Sequence, residues 1–61
     1  MKNIEVTEQT FNKVFTEGDL LYMESKETHV IEHFINEHQR GKRIFNYVSS
    51  VWQYYLIDIN A

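Results

Sequence analysis

The residues best placed to do chemistry are histidines and carboxylates in the stretch His29-Val30-Ile31-Glu32-His33. This matches the H-x-x-E-H pattern of the inverzincin metalloproteases, in which two histidines one helical turn apart hold Zn²⁺. Such a protease also needs a distant glutamate ligand and a large enclosing scaffold. After Glu37 the only acid is Asp58. A simpler His29/His33/Glu37 line along one helix face is the remaining metal arrangement. The preferred reading is a set of solvated residues in which Glu37 pairs with its neighbours. No metal and no cofactor are therefore expected. No catalytic residues are assigned either. There is no cysteine nucleophile, no Gly-x-Ser-x-Gly elbow and no Gly-rich phosphate loop, since Gly18 and Gly41 stand alone. Ser25, Ser49 and Ser50 have no neighbouring base. The chain is expected not to be an enzyme.

Stepping from these residues to the elements that must carry them, the 61 residues amount to one small domain spanning 1–61. Zero cysteines leave no disulfide framework, and zero prolines with two glycines give little punctuation. Residues 2–6 alternate polar and apolar, as in a strand or extended arm. Thr7 is a candidate N-cap, followed by Glu8 and by Phe11, Val14 and Phe15 at helical spacing, with Gly18 closing a helix over 8–17. Asp19 is a second N-cap candidate. Thr28 can cap a further helix over 29–40, the clearest helical pattern in the chain, in which Val30, Ile31, Phe34 and Ile35 form one stripe and Gly41 is the stop.

The last segment carries two conflicting signals. Ile44, Phe45, Val48, Val51, Trp52, Tyr55, Leu56 and Ile59 fall on one helical face, and Phe45, Val48, Trp52, Tyr55, Ile59 repeat like a heptad seam. Nearly every residue there nevertheless prefers a strand. Alternation breaks across Val48-Ser49-Ser50-Val51-Trp52, and the expectation follows periodicity. The fold expected is mostly α, a small helical domain of about three helices over 8–17, 20–40 and 43–58. The alternative is α+β with strands near 2–6 and 20–26.

Nine acids against six Lys and Arg give a net charge of −3, which disfavours nucleic acid as a partner. Arg40, Lys42 and Arg43 form a basic knot. It suits a helix C-terminus or a contact with an acidic partner. His38 projects to the middle of the apolar stripe, where protonation at a subunit interface would weaken association as pH falls. The aromatic fraction is 15%, concentrated after Ile44. Tyr and Trp anchor interfaces, offering large apolar area with a polar tip.

The expected function is a non-enzymatic protein-binding module, a homodimeric regulator or inhibitor that occludes a surface of a target protein. Its binding residues are read as Tyr47, Trp52, Tyr54, Tyr55, Ile57, Arg40, Lys42 and Arg43. By analogy of size class alone, it is comparable to small phage- or plasmid-encoded inhibitors. The alternative is a DNA-binding regulator with a helix-turn-helix around Gly18. No signal-peptide core or membrane-length apolar run is seen, so a cytoplasmic protein without membrane contact is expected.

Overall fold

Thr7 starts the helix as its side chain predicts: Oγ1 accepts the Thr10 N–H at 3.2 Å and Glu8 occupies the first turn. In the computed structural model, which describes residues 2–58, this helix is short. The elements are β1 (Lys2–Val6), α1 (Glu8–Val14), a 3₁₀ turn (Glu17–Asp19), β2 (Leu20–Ser25), β3 (His29–Ile35), β4 (Arg40–Asn46) and β5 (Val51–Asp58). The strands form one antiparallel sheet in the order β1-β5-β4-β3-β2. The described chain is thus mainly β-sheet with a single α-helix. This overturns the mostly α expectation, including helices over 20–40 and 43–58.

The reason lies in spacing that helices and strands share. Val30 and Phe34 are four residues apart, an even number, so they share a strand face as readily as a helix face. Ile31 and Ile35 then fill the opposite face, and a strand apolar on both sides reads as an amphipathic helix. The apparent seam after Ile44 arises differently. Phe45 and Trp52 are cross-strand partners in β4 and β5. Val48 sits in the intervening turn, and Tyr55 points to the other side of the sheet. Ile59 lies outside the described residues.

Side-chain amides make the turns. Asn46 Oδ1 accepts the Val48 and Ser49 N–H groups at 2.9 and 3.1 Å, and Ser50 closes the turn at φ 57°. Asn36 Oδ1 likewise accepts from His38 and Gln39, while its Nδ2 donates to the Val14 carbonyl at 2.9 Å. The same side chain thereby fixes the β3–β4 turn to the end of α1. His38 is therefore exposed in a turn rather than set in an apolar stripe. Asp19 is not an N-cap; it closes the 3₁₀ turn by accepting the Thr16 N–H at 2.9 Å. Gly18 does not end the helix in a left-handed conformation, since α1 closes through the Phe15 N–H donating to the Phe11 carbonyl.

The core forms where α1 lies on one face of the sheet. Phe11, Phe15, Phe34 and Tyr54 are buried together, with Val6, Val14, Leu20 and Leu56 around them. The Phe11 ring lies 5.0, 5.2 and 5.3 Å from those of Phe15, Phe34 and Tyr54. Gly41, expected to stop a helix, is instead inside β4 beneath Phe15. A Cβ there would sit 2.5 Å from Phe15 Cε2 and 2.9 Å from the Tyr55 carbonyl oxygen. Glycine is required for close approach, its φ being negative.

Candidate functional site

Strand alternation sorts the remaining aromatic and charged residues. Ladder partners share a face, so Met23, Val30, Glu32, Arg43, Phe45 and Trp52 lie on the helix side with Tyr54. α1 covers the end of this face near the β3–β4 turn and leaves the other end open. There Phe45 packs on Trp52 with ring centroids 5.0 Å apart, and Tyr47 meets Phe45 edge-on at 5.7 Å. Tyr47 and Trp52 are 53% and 36% exposed, Val48 in the adjoining turn is 81% exposed, and Met23 is 54% exposed at the β2 edge of the same face. An uncovered cluster of this composition has the character of a binding surface.

Arg43 forms the boundary between core and patch. Its guanidinium lies 4.9 Å from the Phe34 ring and 5.0 Å from the Trp52 ring. Nε donates to Glu32 Oε1, and a terminal nitrogen reaches both Glu17 oxygens at 3.3 Å. Burial disfavours the charge, but the hydrogen bond and attraction of Glu32, with Glu17 beyond, outweigh it and raise the guanidinium pKa above its ordinary value. The arrangement sets the Arg43 guanidinium against the Trp52 ring, which stays 36% exposed. The neighbouring Tyr54 donates its hydroxyl to Glu8 Oε2 at 2.7 Å. Burial first, then that hydrogen bond and the Glu8 charge, push the phenol up to about 12.

The opposite face carries a different row. Tyr22 stacks on His33 at 4.3 Å with an interplanar angle of 12°. His33 Nε2 and Glu24 Oε1 are 2.7 Å apart, and Lys42 sits 5.6 Å from the Tyr55 ring centroid. The His33 hydrogen bond, with the nearby Lys26 charge adding to it against partial desolvation, holds the Glu24 carboxyl below the usual range. At the β3–β4 end, a shallow depression of about 520 Å³ is lined by Ile35, Asn36, His38, Arg40 and Ile57 among others.

The eight residues read from sequence as a binding set do not form one surface. Tyr47, Trp52, Tyr54 and Arg43 belong to the helix side, whereas Tyr55, Ile57, Arg40 and Lys42 belong to the opposite face. Tyr54 is 8% exposed and serves the core. The basic knot splits because its members alternate along a strand. Phe45 joins Tyr47 and Trp52 in the open cluster and is absent from the set read from sequence. Period-two alternation in Arg43-x-Phe45 and Trp52-x-Tyr54, broken by an Asn-led turn, is the signal that would have found it.

The histidine pattern dissolves for the same reason. On β3, His29 and His33 share a face but lie about 13 Å apart at strand rise, too far to bind one ion together. Glu37 sits in the following turn. Among the described residues, no group of three or more His, Cys, Asp or Glu side chains could hold a metal ion. The helix-turn-helix loses its second helix, because residues 20–25 are β2. Among the described residues no helix is long and apolar enough to cross a membrane. Comparison with protein families, curated proteins and solved structures finds no match to this chain.

Proposed function

We propose that the protein is a non-enzymatic binding module that acts as a homodimer in the cytoplasm and occludes a surface of a target protein with the open end of its helix-side face. The observation carrying this reading is the exposed Trp52, packed against Phe45 and against Arg43, which is paired with Glu32 in a partly buried position. An aromatic ring held rigidly in place loses little conformational freedom on binding, which makes it an efficient anchor. Tyr47, edge-on to Phe45, and the exposed Val48 of the adjoining turn provide further apolar contact area.

The test compares the two faces. The protein and two variants, Trp52→Ala and Tyr55→Ala, are used as baits, and the affinity of any captured protein is then measured with purified components. Loss of an anchor of this kind costs about 2 kcal/mol or more, roughly 30-fold in Kd. The expected result is that loss for Trp52→Ala, with circular dichroism unchanged, and little effect for Tyr55→Ala. Equal affinities for both variants and the parent would overturn the reading.

A further inference from the structure

Charge is unevenly shared between the two ends of the helix-side face. Beside the open aromatic cluster, Glu17 and Glu32 both bond Arg43, one carboxylate more than its charge requires. Glu8 accepts from the Tyr54 hydroxyl, a neutral donor whose pKa is pushed up to about 12. Glu27 is exposed in the turn whose Thr28 carbonyl accepts the Tyr47 N–H at 2.9 Å. Four carboxylates thus meet one guanidinium, and the surplus equals the net charge of −3 on the whole chain. The remaining cations do not offset it. Lys26 is paired with Glu24, Arg40 and Lys42 lie on the opposite face, and Lys2 is set against Asp58. Lys13 stands in the last turn of α1, beside the Val14 carbonyl that Asn36 holds at the covered end.

We propose that the open patch takes a basic segment of its protein target, with an arginine of that segment laid against the exposed part of the Trp52 ring and paired to the carboxylates beside it. This occupant rests on the binding-module reading above and gives the chemistry of the partner. A guanidinium suits both halves of the surface, since it stacks on aromatic rings and meets a carboxylate through two parallel hydrogen bonds. The Trp52 ring already accepts one in this way, Arg43 at 5.0 Å. Glu17 is the carboxylate best placed to receive a second. Its side chain is 78% exposed, and its two contacts with Arg43 are long, at 3.3 Å. A second copy offering the same face would bring two negative surpluses together, and an acidic segment or a phosphate backbone would be repelled.

Trp52 is the chain's only tryptophan, so its emission reports occupancy of the patch. The probes are a short peptide of alternating arginine and leucine and its counterpart with glutamate in place of arginine. The arginine peptide is expected to shift the Trp52 emission and to bind about tenfold tighter or more than the glutamate peptide, weakening as salt rises. Glu17→Gln and Glu27→Gln should each weaken it about threefold with circular dichroism unchanged. Glu37→Gln removes the same charge in the β3–β4 turn, at the other end of the sheet, and should leave the affinity as it was. Equal binding of the two peptides, equal losses for Glu17→Gln and Glu37→Gln, or an emission shift on concentrating the protein alone would each overturn the proposal. The two readings separate. A target captured through Trp52 with an affinity indifferent to salt and to Glu17→Gln removes the basic segment and keeps the binding module. Arginine-peptide binding at Trp52, with captured proteins indifferent to Trp52→Ala, keeps the basic-segment surface and removes the occlusion of a target through it.

Discussion

The two ends of the helix-side face are built from the same material and differ in what lies over them. At one end Phe11, Phe15, Phe34 and Tyr54 pack with ring centroids 5.0–5.7 Å apart under α1. At the other, Phe45, Tyr47 and Trp52 pack at similar distances in the open. Arg43 divides them, stacked between Phe34 and Trp52 with its charge met by Glu32 and Glu17. Ring chemistry and spacing do not distinguish core from site. The reach of a seven-residue helix does.

If coverage is the difference, substitutions at the two ends should separate stability from binding. The largest effect is expected for Phe11→Ala, where an uncompensated core cavity costs about 3–5 kcal/mol. A domain this small holds only about 0.05–0.15 kcal/mol per residue. Loss of the near-ultraviolet dichroism and of a cooperative urea transition should follow. Gly41→Ala comes next, at about 1–3 kcal/mol, because the new methyl meets both a flexible ring and an immovable carbonyl. Adding Phe15→Leu should recover part of that loss in the urea midpoint but not all.

Tyr54→Phe should cost about 1.5–3 kcal/mol by removing a hydrogen bond to a carboxylate. The sign of its pH dependence follows from a phenol whose folded pKa is raised to about 12. Its contribution is complete below the unfolded value near 10 and fades as pH rises from there through about 12. Urea midpoints across that range, and a tyrosinate absorbance step near pH 12 absent from Tyr54→Phe, check this. Trp52→Ala should cost less than Phe11→Ala, because its ring is 36% exposed and its removal opens a groove rather than an enclosed cavity. A Trp52→Ala midpoint as low as that of Phe11→Ala would show that the open end is core after all.

Local capping was legible in the sequence, and long-range pairing was not. Thr7, Glu8 and Phe11 mark the start of α1, and the alternation of residues 2–6 marks β1. For the last segment, the β-branched and aromatic composition argued for strands, but the periodicity prevailed because it was taken across a turn. Asn46-Tyr47-Val48-Ser49-Ser50 reverses the chain, and positions that look one helical turn apart become partners facing across a ladder. Among the predicted site residues, Trp52 and Tyr47 are on the open patch, since their types suit an interface wherever they stand. Arg40, Lys42 and Arg43 were grouped by adjacency, which in a strand places neighbours on opposite sides. The pairing of Arg43 with Glu17 and Glu32 joins three elements, and no local pattern encodes it.

The β1–β5 ladder carries a consequence for how the molecule assembles. It brings Lys2 to Asp58, across nearly the whole described chain, whereas β2 through β5 form successive hairpins with short turns. Loop-closure entropy grows with the length of chain enclosed, so the β1–β5 pairing is the contact of the sheet that costs the most chain entropy to make. α1 lies between β1 and β2 in the chain, joined to one through Thr7 and to the other through the 3₁₀ turn, so with β1 in place the helix that carries Phe11 and Phe15 is held to the sheet at both ends.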